Sequence, residues 1–223
     1  MTQRMLFIGY CLFAIIISYI PFIGLPFTYL ATIFHEMSHA LTVLMTGGQV
    51  VEFSLAIDGS GHVLSRGGSR FLIAISGYLG VSIWAALLFQ AGTRNTLARM
   101  TIGALVAIFT MTLILWVNNV MTALILAAVT GLLVIMLVKT NAKLITYLSQ
   151  FMAILVLFNA IKSPLYLIDG RAVGDGAMLA SITLIPEIVW VVVWCVIGLS
   201  VLYYLYQSLN KQSQNIKSLN KEG

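Results

Sequence analysis

Two histidines four residues apart, with a glutamate beside the first, stand in the stretch TIFHEMSHALTVLMTGG, residues 32–48. On a helix His35 and His39 lie about 40° apart around the axis and one turn apart along it, so both imidazoles reach a single ion. Zinc takes neutral imidazole nitrogen at about 2.0–2.1 Å, and a catalytic site leaves one position to water. Glu36 falls about 100° from His35, on the flank of that face. It is too far round to be an ideal ligand and well placed to take a proton from a water at the metal. This is the HExxH pattern, and the chemistry it serves is metal-assisted hydrolysis.

The surroundings make these side chains costly. The chain has 223 residues, 60% hydrophobic and 9% charged, with a mean hydropathy of +1.00. Soluble domains carry about 25% charged residues. The chain therefore reads as an all-α polytopic membrane protein of six to seven transmembrane helices. A charge at the centre of a span costs at least ~2.5–3.5 kcal/mol on insertion scales, so three polar groups on one turn need a function or close compensation. The bland alternative is a histidine pair hydrogen-bonded across helices, with Glu36 paired to a base.

Apolar runs at 5–24, 27–46, 71–91, 97–117, 120–138, 143–162 and 183–206 are long enough to span a bilayer. Pro21 and Pro26 are expected to separate the first two runs as a tight hairpin, and Asn118-Asn119 to mark the turn between the fourth and fifth. The first run follows Arg4 like a signal peptide, but no small-residue cleavage site stands out, so it reads as a retained helix. Trp190, Trp194 and the Tyr203–Tyr206 cluster suit an interfacial belt around the last span. The Met-rich stretches at 100–136 read as lipid-facing or packing surface.

Residues 47–70 do not read as a span. Gly-Gly ends the preceding helix, Val51, Phe53, Leu55 and Ile57 alternate with more polar positions, DGSG follows, and a second short run begins at His62, which together predict a β-hairpin. Residues 163–182, rich in Gly, Pro and Asp, also interrupt the spans. We read 1–206 as one membrane domain and 207–223 as a polar, frayed tail. Lysine and arginine divide almost evenly between the two ends of a seven-span arrangement, so orientation stays open. No Lys/Arg cluster with interleaved aromatics suggests nucleic acid. Cys11 and Cys195 lie in apolar runs, as buried small hydrophobes do.

HEMSHAL in an early apolar helix, followed by TGG and a short hairpin, then Gly77-Tyr78, then GDGAMLA at 174–180, resembles the M50 family of intramembrane zinc metalloproteases of the site-2 protease type. Within it, the chain is similar to the small M50B-like bacterial branch. The resemblance spans residues 25–195. It implies zinc as cofactor, an aspartate as third ligand, and Glu36 as general base. Two aspartates compete: Asp175, which opens an apolar helix-forming run as the family's ligand does, and Asp169 in LIDG, closer in letters to the family motif. Asp175 is taken first, with Asp169 as runner-up. Asn159, upstream with Pro164, matches the family's substrate-contacting asparagine. The resemblance further implies membrane proteins or signal-peptide-like remnants as substrates, inside the lipid bilayer of a bacterial cell membrane. The oligomeric state is left open.

Other polar residues have plainer readings. His62 reads as a solvated loop histidine, Glu187 as a first-turn acid suited to the helix dipole, and Asp58 as the hairpin turn. Gly77, Gly80 and Ser82 suit close helix packing. Rival functions are a transporter with a polar midplane site and a pseudo-protease adaptor holding structural zinc. Neither has a use for Glu36, and no internal repeat supports a transporter.

Overall fold

The computed structural model describes the backbone of residues 3–168 and 173–222, with side chains for these except residues 3, 21, 22 and 210–222. The chain is an all-α polytopic protein with one two-stranded hairpin. Its elements run α1 (Gln3–Ser18), α2 (Pro21–Met45), β1 (Gln49–Leu55), β2 (Gly61–Arg66), α3 (Arg70–Ala91), α4 (Asn95–Trp116), α5 (Val120–Lys139), α6 (Ala142–Lys162), a 3-10 turn (Ser163–Leu167), α7 (Asp175–Thr183) and α8 (Glu187–Glu222).

Among the described residues five helices are each long and apolar enough to cross a membrane, and the pair α1 and α2, bent by 102°, makes a sixth when taken as one span. Six is the lower bound of the six to seven expected. With 16 residues, α1 is roughly 24 Å long, short of a hydrocarbon core of about 30 Å. Nor do the prolines make a hairpin. Pro21 opens α2, where a missing N–H costs nothing, and Pro26 lies within its early turns. The tail also differs from expectation: its backbone continues as helix to Glu222.

The hairpin is anchored along α2 and at the start of α5. Helix α2 stops where Gly47 takes φ +78, and the chain returns so closely that a Cβ on Gly48 would lie 2.9 Å from the backbone of Gly67 and Gly68. The strands pair antiparallel from Gln49↔Arg66 to Leu55↔Gly61, with an irregularity between Val50 and Glu52. Phe53 and Leu55 point into the core, while Ile57, expected to continue the alternation, is exposed beyond the strand's end. At the tip, the Ser60 hydroxyl and amide donate to Asp58 and hold its carboxyl below the usual aspartate range. Tyr29 Oη donates to the Ile57 carbonyl (2.9 Å) and Thr32 Oγ1 to that of Gly59 (2.6 Å), pinning the tip to α2. On the far side, Thr122 Oγ1 accepts from the Leu55 amide (2.9 Å) and donates to its carbonyl (3.2 Å), and Asn119 Nδ2 donates to Ser54 Oγ (3.1 Å).

Small residues let the helices approach, as membrane interiors require. Ala74, Ala85, Ala98, Ala153 and Ala160 are at most 1% exposed, while Ile114 and Val120 exceed 70%, on faces suited to lipid. Phe34 stacks on Trp84 (5.4 Å, 11°), and Trp84 Nε1 donates to Ser38 Oγ, linking α2 to α3. Arg99 donates to the Leu137 and Thr140 carbonyls, satisfying the end of α5. Trp194, expected in an interfacial belt, is instead buried. It packs on Ala74 and Tyr78, and its indole reaches the Ile75 carbonyl, because the small residues of α3 leave room for a ring there.

Candidate metal centre

The middle of α2 is regular helix, so His35 and His39 emerge one turn apart on one face, turned towards α3. The α3 backbone can lie against them because residue 77 has no side chain. A Cβ on Gly77 would stand 2.5 Å from His35 Cε1, 2.6 Å from His35 Nε2 and 2.7 Å from His39 Cε1. Gly80 plays the same part for Ser38, whose side chain occupies the space a Cβ there would fill.

Each ring is held from behind. His39 Nδ1 lies 2.7 Å from the Ile73 carbonyl, an acceptor only, so that nitrogen carries the proton and Nε2 is left as a lone-pair donor. The His35 ring meets Tyr78 edge-on at 4.4 Å, and Tyr78 in turn packs on Trp194 at 4.7 Å. The carbonyl and the two aromatic rings fix the direction in which both Nε2 atoms point.

Asp175, the first residue of α7, completes the group. Its Oδ2 lies 3.0 Å from His35 Nε2 and 3.3 Å from His39 Nε2, and the two Nε2 atoms are 3.0 Å apart. Donors bound 2.0–2.1 Å from a tetrahedral ion stand roughly 3.3 Å from one another. Two imidazole nitrogens and a carboxylate oxygen at these separations therefore fit zinc in both chemistry and spacing. Asp169 lies outside the described residues. Among the described ones, His35, His39 and Asp175 form the group suited to a metal.

Glu36 is buried at 4% exposure beside this group, and no described residue hydrogen-bonds to it. Its side chain rests against β2: a Cβ on Gly61 would lie 2.9 Å from Glu36 Cγ and 3.1 Å from Oε1. His35, Glu36, His39 and Asp175 all line one cavity of about 1000 Å³, walled by the hairpin tip, α6 and the start of α7. This is a water-accessible space inside an apolar protein, where a carboxylate can be tolerated.

The remaining expected residues sit as follows. Asn159 lines the cavity, with Oδ1 accepting from Ser163 Oγ at 2.6 Å. His62 lies on β2, exposed, along the cavity wall. Glu187 occupies the first turn of α8, but its Oε1 is buried, without a hydrogen-bond partner among the described residues, and turned towards Gly176. Neither the Ile73 carbonyl nor the place of Lys162 in this cavity was foreshadowed by residue spacing. The Lys162 amine lies 4.9 Å above the Tyr19 ring within the same cavity. Only the Gly-Tyr pair at 77–78 hinted at what surrounds the histidines.

Comparison with known families adds one finding. The Peptidase M50B-like family model matches residues 8–205. Comparisons with curated proteins and with solved structures give no match.

Proposed function

The chain belongs to the Peptidase M50B-like family, a group of membrane metalloproteases, and from that premise we propose that it hydrolyses peptide bonds of membrane-embedded substrates at the His35, His39 and Asp175 centre. The observation that carries this reading is a three-donor group at tetrahedral spacing with an unbonded, buried Glu36 beside it. Held by the two Nε2 atoms and Asp175 Oδ2, zinc would supply a Lewis acid that acidifies water and polarises a carbonyl oxygen. Glu36 takes the proton of the attacking water and returns it to the leaving amine. His39 is kept in the ligating tautomer by Ile73. The apolar walls restrict water to the cavity that these groups line.

A helical substrate must unwind before it can be cut, since its carbonyls are engaged within the helix. The hairpin offers an extended template for the unwound segment. One edge is already taken, because Thr122 satisfies both the amide and the carbonyl of Leu55 on β1. The outer edge of β2 receives no backbone hydrogen bond from the described residues beyond its pairing with β1, and Gly61 to Val63 line the catalytic cavity. A substrate strand adding to β2 is thereby brought alongside Glu36.

The test is cleavage of single-span peptides by the purified protein in lipid vesicles, wild type against Glu36→Gln. The reading requires full zinc in both and a loss of at least ~100-fold in cleavage for Glu36→Gln. Wild-type rates in a zinc-loaded Glu36→Gln protein would refute the role of Glu36, and no cleavage of any peptide by the zinc-loaded wild type would refute proteolysis and favour a transporter or a structural zinc.

A further inference from the structure

A second cavity, of about 510 Å³, lies between α3 and α4 and shares no lining residue with the first. On α4 its wall is the row Leu97, Thr101, Ala104 and Ile108, at the steps of three and four that keep one helical face in line. On α3 it is Trp84, Leu87 and Ala91. The floor is Phe34, stacked on Trp84 and next in the chain to His35. Leu87 and Leu97 are exposed, so the groove opens along its length to the surroundings of the helices. The eleven-residue step from Leu97 to Ile108 makes it roughly 16 Å long. That is about half of a hydrocarbon core of ~30 Å, the depth of one leaflet and so the run of one acyl chain.

The groove is apolar along its walls and polar at its mouth. There Gln90, Thr93 and Arg94 line it, at the short connection between α3 and α4. The Thr93 hydroxyl donates to the Gln90 carbonyl. The exposed Arg94 side chain has no hydrogen bond or ion pair with the described residues. Its neighbourhood offers no counter-charge. Arg99 donates to the Leu137 and Thr140 carbonyls, which are neutral, and this brings the α5–α6 connection, with Lys139 and Lys143, to the same end. Residues 59–168, which include all of α3, α4, α5 and α6, contain no aspartate or glutamate.

We infer that the α3–α4 groove binds an anionic phospholipid, with one acyl chain laid along the apolar walls and the phosphate headgroup at Arg94. The length fits one chain, and the uncompensated cation stands at the end where a headgroup would be; basic pockets between spanning helices hold anionic headgroups in this way. A second copy of the chain fits less well. Copies in a bilayer share one orientation, so a copy seated here would set two cationic ends side by side. Because Phe34 is the floor, the lipid chain and the metal ligands lie on the two sides of one turn of α2.

The experiment uses the full chain in phosphatidylcholine vesicles that contain an equal small fraction of either a phosphatidylglycerol or a phosphatidylcholine carrying a photoactivatable diazirine on its acyl chain. After irradiation, lipid adducts are mapped by peptide mass spectrometry on the groove walls and, for comparison, around Ile135 of α5, an exposed position near the same cationic end. In wild type the ratio of phosphatidylglycerol to phosphatidylcholine adducts in the groove should exceed that around Ile135 by about fivefold or more, the factor that one basic residue at an anionic surface supplies. Arg94→Gln should bring the two ratios together. Ala104→Phe, at an exposed position, should remove groove adducts of both lipids and leave those around Ile135 unchanged. A wild-type groove ratio no higher than that around Ile135, a ratio unmoved by Arg94→Gln, or a groove without lipid adducts overturns the inference. The measurement needs neither zinc nor turnover, so it fails separately from the proteolytic reading.

Discussion

Adding one methyl group at Gly77 should disable the metal centre while leaving the fold intact. In Gly77→Ala the new carbon would stand 2.5–2.7 Å from atoms of both imidazoles. Nonbonded carbons rest at about 3.5–4.0 Å, so the rings or the α3 backbone must give way by roughly 1 Å. The rings have little freedom to retreat: Tyr78 lies against His35, and the Ile73 carbonyl holds His39 at 2.7 Å. Metal ligands tolerate errors of only about 0.2 Å. Disturbing the groups that orient ligands typically costs 10–100-fold in metal affinity, and a displacement of the ligands themselves lies at or beyond the upper end of that range. We therefore expect zinc affinity to fall by ~100-fold or more, near 2.7 kcal/mol. The assay is competition for zinc against a chelator of known strength. Gly103→Ala serves as control, because nothing lies within 4 Å of a Cβ there. Zinc affinity within about threefold of wild type in Gly77→Ala would refute the claim that this glycine admits the histidines.

Two further substitutions separate catalysis from metal binding. Gly61→Ala places a carbon 2.9 Å from Glu36 Cγ and should lower kcat by roughly tenfold or more through misplacement of the base, with zinc content unchanged by elemental analysis. Thr122→Val leaves the Leu55 amide and carbonyl without their partner, at a cost of about 1–3 kcal/mol for each group so exposed; faster amide exchange at Leu55 and slower cleavage, again with zinc retained, are the expected outcomes.

What the sequence disclosed is what depends on near neighbours. A four-residue spacing on a helix sets the directions of His35 and His39 before any tertiary contact forms. Alternation around DGSG likewise announces the hairpin. The bend between α1 and α2 was not legible, because it reflects how α1 lies against α6 and α8, through contacts such as Phe13 with Phe151 and Phe7 with Tyr206. The number of crossings depended on that bend. Trp194 was misjudged because a tryptophan near the start of an apolar helix has the composition of a belt residue. What buries it is the run of small residues on α3, far away in the chain. Between Asp175 and Asp169 local sequence could only set the order of preference. Asp175 reaches the histidines because α7 starts beside α3, a relation that no spacing encodes.

The most direct test of the account is the zinc content of the purified, folded protein, measured by elemental analysis for wild type, His35→Ala, His39→Ala, Asp175→Ala and Asp169→Ala. The account predicts about one zinc per chain in wild type and Asp169→Ala, and loss of it in the other three. Zinc retained in Asp175→Ala but lost in Asp169→Ala would contradict the ligand set. A folded wild type that takes up no zinc would contradict the metal centre itself.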